Sequence, residues 1–402
     1  MVARALRCCG AAGTLALAAT LFGCARPSPS GPADTQVSVG QPSLQYQATD
    51  LGTLGGTYAY PGDINARGQV VGVSTTVDGA THAFLWQDGI MTDLGTLGGD
   101  ASSASHINAR GQVVGWSTNA VAEKHVFLWS DGVMQDLGPT PYIWAILLNA
   151  GGQVAWTVSP PGDIPHRRAF LWSDGVAQEL GTLGDTGWSQ VYAINDLGQV
   201  VGASNGRPVL WENGSVREFP GLGGGGWASD INDRGQVVGA SYERVPGDPY
   251  GSILHAVLWD GDQTIQLGKL PEDRHSGASL INQAGMVIAH SYPFSWSYPR
   301  DFLWTAGVIT RLTPMNWRYT ANGVNERGVI AGTQDSAFIW TRAVVWEQGE
   351  RSRLPLLNGV TNFASAINNA GTIVGGERTS PSDPNIRAVL WRKSNSVLTA
   401  AQ

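Results

Sequence analysis

The chain has 402 residues, 42% of them apolar and only 14% charged, with 53 Gly and 16 Trp. That balance suits short strands joined by tight turns and is unusual for helical domains. The formal charge is −7, and without Arg4 and Arg7 the balance is 23 basic to 32 acidic residues, or −9; nucleic-acid binding relies on a concentrated basic surface and is disfavoured.

The first element in chain order reads as an export leader over residues 1–23. Arg4 and Arg7 precede an apolar run from Ala11 to Phe22, too short to cross a bilayer, which takes about 20 residues. Leu21-Phe22-Gly23-Cys24 resembles the lipobox of bacterial lipoproteins, with Cys24 as the residue to be lipidated. Envelope anchoring through that lipid is the expectation, with plain secretion as the alternative. All three cysteines (Cys8, Cys9 and Cys24) fall here, so the rest of the chain has no disulfide, thiolate metal site or Cys nucleophile. Residues 24–43 then read as the lipidated Cys and a Pro/Ser/Gly-rich tether, and 44–402 as one domain.

That domain is built of repeats. INARGQVVG at Ile107–Gly115 recurs with its Asn at positions 65, 108, 149, 195, 232, 282, 325 and 368, at steps of 43, 41, 46, 37, 50, 43 and 43. Periods in the forties mean one supersecondary unit per copy. In the unit from Gly223 to Gly268, a short strand leads into Asn232-Asp233-Arg234-Gly235, the Asn and Gly preferences of a type I turn. Gln236–Ala240 supplies a second strand, in which Gly239 is expected to let a neighbouring sheet approach. The third ends in Trp259, and a tight turn follows, as in Asp88-Gly89, Asp131-Gly132, Asp174-Gly175 and Asn213-Gly214. A fourth strand ends in Leu-Gly-Thr-Leu-Gly-Gly or a relic of it. Four antiparallel strands in this span make a β-propeller blade.

Thr49–Gly56 repeats Thr92–Gly99 letter for letter, so the chain enters on a fourth strand with no first three. We expect an all-β propeller of eight blades, its last blade completed by the N-terminal strand; a strand at Ser396–Ala400 would compete for that place, and seven blades is the alternative.

These phrases, with His82-Ala83-Phe84 followed by Trp86, resemble the bacterial extracellular HAF-repeat family, named for that tripeptide, in which HAF-x-W alternates with I-N-x-x-G-Q-V-V-G and D-L-G-T-L-G-G. The resemblance spans Tyr46 to Trp391, although the tripeptide is intact only at His82. It implies location and fold; the family carries no assigned chemistry.

The turn after Asn is uniform and the Trp-to-Gly turn nearly so, and both lie at one end of the meander. The connection from second strand to Trp varies: 14 residues from Gly72 to Trp86, 9 from Gly202 to Trp211, 20 from Gly239 to Trp259. Variable loops on a rigid frame are where binding sits. Four positions before each third-strand Trp stand His82, His125, Arg168, Arg207, His255, Arg300, Arg342 and Arg387. They read either as internal bonds to a loop carbonyl or to an Asp or Asn of the next blade, or as a cationic rim for an anionic ligand. Near the first strands lie Tyr58, Tyr60, Trp144, Trp188, Trp227, Trp317, Tyr319 and Phe363, with Tyr292, Phe294, Trp296 and Tyr298 in one long loop. They read as blade packing or as stacking platforms for sugar.

The best departure from the repeat is Glu272-Asp273-Arg274-His275, where Glu272 or Asp273 with His275 could do acid–base work or hold a cation, against the plainer reading of a solvated loop. His166 is a weaker single-copy candidate. No nucleophile motif, metal site or cofactor is expected. The leading functional reading is a non-catalytic, monomeric binder of polysaccharide, anionic ligand or surface protein, touching the membrane through its lipid alone. A glycan-active hydrolase or lyase and a structural surface protein are the alternatives.

Overall fold

The computed structural model describes residues 46–160, 162, 166–184, 186–247, 251–293, 299–312, 318–336 and 340–394. The lipidation candidate Cys24, the aromatic candidates Phe294, Trp296, Tyr298 and Trp317, and the stretch Ser396–Ala400 lie outside them.

All the regular structure among the described residues is β, in 32 strands. Each blade is an antiparallel four-stranded meander, and the sheets of the first two blades are also joined by one parallel bridge, Thr81 to Ala101. The strand Tyr46–Asp50 pairs antiparallel with Arg387–Lys393, Tyr46 opposite Lys393 and Asp50 opposite Val389, and is the fourth strand of the eighth blade. Eight repeats therefore make eight blades, with the first strand of the chain in the place left by the last repeat.

The Asn-Gly turn does more than reverse the chain. Asn232 Oδ1 accepts from the N–H groups of Arg234 and Gln236, each at 3.1 Å, and its Nδ2 donates to Gln236 Oε1 at 3.0 Å and to the carbonyl of Asn282, the equivalent Asn of the next blade, at 3.2 Å. The inter-blade bond recurs eight times: Asn65 to Asn108, then on through Asn149, Asn195, Asn232, Asn282, Asn325 and Asn368, whose Nδ2 donates to the carbonyl of Asn65 at 2.9 Å. These side chains are buried, so each satisfies its own turn and ties two blades with one amide group. The Asp-Gly turn lies at the same end, since Gln236 Nε2 reaches Asp260 at 2.9 Å. Asp88, Asp131, Asp174 and Asn213 take positive φ there, as a type I′ hairpin demands.

The core lies between blades. One cluster joins Val238, Ala256 and Leu258 of the fifth blade to Ala278, Val287 and Phe302 of the sixth; another joins Leu51, Val70, Phe84 and Trp86 to Val374, Ala388 and Leu390 of the eighth. The third-strand Trp residues are built into it: Trp259 is fully buried and donates Nε1 to the carbonyl of Pro220 at 2.8 Å.

Gly239 has a different reason from the expected one. A Cβ there would sit 2.1 Å from the Trp227 carbonyl, on the first strand of its own sheet, rather than against a neighbouring sheet. First strands are bulged two or three residues before the Asn in seven blades, for example between Ala228 and Asp230. The bulge turns the first strand on itself, and the Gly accommodates the carbonyl opposite.

Candidate functional site

A cavity of about 590 Å³ opens at the variable-loop end between the fifth and sixth blades. Binding sites for small ligands commonly fall in the range of roughly 300–1,000 Å³. One wall carries Trp227, Tyr242, Ser252 and Leu254 of the fifth blade; the other carries His275, Gly277, Ser279, His290 and Tyr292 of the sixth. Trp227 and Tyr242 meet edge to face with ring centres 6.2 Å apart. Tyr292 stands half-buried, its phenol raised above the ordinary range first by burial and then by the charge of Asp301.

The sixth blade departs from the repeat at three positions that register brings together. Gly277 of the first strand (His275–Ile281) lies opposite His290 of the second (Val287–Tyr292), and His290 lies opposite Asp301 of the third (Arg300–Thr305). In the other blades the first-strand position holds Tyr60, Ser103, Ala145, Gln190, Trp227, Thr320 or Phe363. The second-strand position holds Val73, Trp116, Thr157, Ala203, Ala240, Thr333 or Gly376, and the third-strand position Ala, Val or Pro. The sixth blade alone leaves the first-strand position without a side chain and places an imidazole with a carboxylate behind it.

His290 Nδ1 is 2.7 Å from Asp301 Oδ1, and the Asp301 side chain is fully buried while His290 keeps 19% of its side-chain surface accessible. Asp301 Oδ2 accepts the N–H of Ala321, in the seventh blade, at 2.8 Å. Neither residue belongs to a charged run, so the dyad does not stand out in the sequence as Glu272–His275 does. Aligning the copies column by column from each Asn and each Trp would have found both.

The loop Glu272–His275 does not act as one unit. Arg300 Nη1 lies 2.9 Å from Asp273 Oδ1 and 3.1 Å from Glu272 Oε1, and Arg311 donates to Glu272 as well. The Arg311 hydrogen bond, with Arg300 beside it, holds the Glu272 carboxyl below its usual range. His275 turns elsewhere: it is 6% exposed, and its Nδ1 accepts the N–H of Leu254 across the cavity at 3.0 Å.

Most of the His/Arg set is paired with acids. His82 meets Asp93, His125 meets Asp136, Arg168 meets Glu179 and Arg207 meets Glu218, all at 2.8 or 2.9 Å and each eleven residues on, in the outer strand of the same blade. His255 takes Glu243 of the preceding strand at 2.9 Å, and Arg342 donates to the carbonyl of Val360. The partner is thus most often an acid of the same blade, whereas the internal-bond reading named a loop carbonyl or an Asp or Asn of the next blade; Arg342, on the Val360 carbonyl, fits that reading. Arg387 lines a shallower cleft with Asp50, Asp383 and Asn385.

The aromatic set divides. Trp144 and Trp188 flank Arg167, whose guanidinium lies 3.7 Å and 5.8 Å from their ring centres, and Trp144 Nε1 donates to Ser159 at 2.9 Å; these rings clamp a cation of the chain itself. Tyr319 is 1% exposed and belongs to the core between the sixth and seventh blades. Trp227 and Tyr292 face the cavity. Among the described residues, no group of three His, Cys, Asp or Glu is placed to hold a metal ion.

No family model matches the chain, and no curated protein is similar to it. Several solved structures are similar to the chain. The β-propeller domain of the Trilobed protease from Pyrococcus furiosus is similar at a TM-score of 0.47 and 14% identity, over 75% of this chain and 97% of that one. The acylaminoacyl peptidase of Pyrococcus horikoshii gives 0.47 and 14%, over 82% and 58%, and the WD40 propeller domain of Doa1 gives 0.40 and 11%, over 71% and 90%. The chain is a β-propeller, and likeness at this level says nothing further of activity.

Proposed function

We propose that this is an exported, envelope-anchored propeller of the HAF-repeat type that binds glycan, without catalysis, in the cavity between its fifth and sixth blades. The observation that carries the reading is the composition of that cavity: aromatic faces from Trp227, Tyr242 and Tyr292, with Ser229, Ser279, His275 and His290 between them. Sugars offer apolar C–H faces and many hydroxyls, and such a wall meets both. The cavity lies at the variable-loop end, where a uniform frame leaves room for specificity. The lipobox-like Leu21–Cys24 and the tether after it support the location.

A hydrolase or lyase using Glu272 or Asp273 is less favoured, because Arg300 and Arg311 hold both carboxylates. A glycan array probed with the mature chain and with Trp227→Ala tests the binding reading. Wild type is expected to select at least one oligosaccharide and Trp227→Ala to lose it by tenfold or more; no selection by wild type ends the proposal. Cys24→Ser should abolish lipid labelling, and unchanged labelling would end the anchor.

A further inference from the structure

We infer that the sixth blade holds a hydroxyl-accepting subsite for a neutral sugar residue, in which His290 Nε2 accepts from a ligand hydroxyl and Asp301 positions the imidazole to do so. The inference rests on the glycan reading and specifies which glycans the cavity takes.

The argument begins with protons. The Asp301 Oδ2 oxygen is occupied by the Ala321 N–H, an obligate donor, and Oδ1 lies 2.7 Å from His290 Nδ1. A carboxylate only accepts, so Nδ1 carries the hydrogen, and in its neutral form the ring presents a bare lone pair at Nε2. That nitrogen has no partner among the described residues, and the ring stays partly accessible. Gly277, its neighbour across the pair, puts no side chain in the way. Aromatic faces from Trp227 and Tyr242 stand on the opposite wall.

This arrangement discriminates by charge. A hydroxyl can donate to Nε2, whereas a sugar carboxylate has no proton to offer and would face a lone pair with the buried Asp301 carboxylate behind it. The subsite should therefore take neutral sugars and reject uronates. The residues concerned are single-copy, which is how a repeated frame acquires one specific site.

Asp301→Asn provides a sharp test. The Ala321 N–H claims the amide oxygen, so the amide nitrogen is left to face His290 Nδ1 and donate to it. The hydrogen on the ring moves to Nε2, and the acceptor becomes a donor without a change of cavity shape. We would titrate wild type, His290→Ala, His290→Gln and Asp301→Asn at pH 8, above the usual imidazole range near about 6.5. The probes are cellotetraose, N-acetylchitotetraose, maltotetraose, the best neutral oligosaccharide from the array, and tetragalacturonate. Folding of each variant would be checked by thermal unfolding, and the His290 tautomer read in wild type and Asp301→Asn from two-bond nitrogen–proton correlations.

The expected results are a neutral probe bound by wild type, at least tenfold weaker binding by His290→Ala and Asp301→Asn, and retention within about threefold by His290→Gln, whose amide oxygen can replace Nε2 as acceptor. Tetragalacturonate should bind wild type at least tenfold more weakly than the neutral probe. A hydrogen on Nε2 in wild type overturns the inference even if Asp301→Asn fails to fold. So does undiminished binding by His290→Ala or Asp301→Asn; in that case the glycan reading survives and only the dyad's role falls. Failure of wild type to bind any glycan overturns both.

Discussion

Asn232→Ala isolates the turn that ties the blades together. The side chain is 1% exposed and takes part in four hydrogen bonds: two hold its own turn, one reaches Gln236 and one crosses to the carbonyl of Asn282. A net contribution of roughly 0.5–1.5 kcal/mol for each bond gives about 2–6 kcal/mol. Water can reach the part-exposed end of the turn, which places the expected loss near about 3 kcal/mol. With an unfolding entropy of about 2.1 cal/mol/K per residue, a domain of this length should melt about 4 °C lower. Gln236→Met is the comparator, because Met286 already occupies that position in the next repeat; it removes the two bonds of the Gln side chain, to Asn232 and to the exposed Asp260, keeps the inter-blade bond, and should cost about 1 kcal/mol. Differential scanning calorimetry on both variants measures the difference. Equal shifts for the two, or a shift below about 1 °C for Asn232→Ala, would refute the assignment of the inter-blade tie to this amide.

Four further outcomes follow from the structure. Asp230 accepts the N–H groups of Ile231 and Ile281, yet desolvation outweighs both bonds and pushes its carboxyl up to about 7. The folded state then keeps a proton that the unfolded chain gives up near its ordinary value of about 3.9, so this group's stability is greatest below that value and is lost as pH rises toward 7. The melting temperature of Asp230→Asn relative to wild type should therefore climb between pH 4.5 and 8, and a flat difference would contradict it. Leu51→Ala, at a 4% exposed site in the cluster shared by the first and eighth blades, should cost about 2–5 kcal/mol in urea unfolding; a loss under about 1 kcal/mol would argue against that junction. Gly239→Ala should lower stability beyond an ordinary strand substitution, since its Cβ would meet the Trp227 carbonyl at 2.1 Å; wild-type melting would show that the bulge relaxes freely. Arg167→Ala should change the Trp emission spectrum by freeing Trp144 and Trp188 from the cation between them, and an identical spectrum would show that the clamp is absent in solution.

The frame was legible in the sequence because the same physical problem is solved eight times. Asn-x-x-Gly, the Asp-Gly turn and the Trp strand each announce a local geometry, and the duplicate of Thr92–Gly99 at Thr49–Gly56 announced the strand that completes the eighth blade. What a local reading could not supply was the second duty of Asn. Its turn is visible in four residues, but its bond to the next blade spans 37 to 50 residues in seven copies and 303 in the eighth, and depends on how blades stack. The site was legible in part. Trp227, Tyr292 and His275 were candidates and line one cavity, whereas His290 and Asp301 lie inside strands that read as ordinary β. Their meaning arises from register, which sets the two side chains opposite each other. Glu272 and Asp273 stand out in the sequence as a charged run, but they face Arg300 and Arg311.

The central claim, that the cavity beside Gly277 is where ligand binds, is tested most directly by titrating the best array-selected oligosaccharide into wild type and Gly277→Phe. A Cβ at this position meets only Ala240, at an ordinary 3.6 Å, and the eighth blade already carries Phe363 at the equivalent place. The added ring should fill the cavity while the melting temperature stays within a few degrees of wild type. The account predicts loss of binding by thirtyfold or more in that folded variant, and wild-type affinity in it would contradict the account.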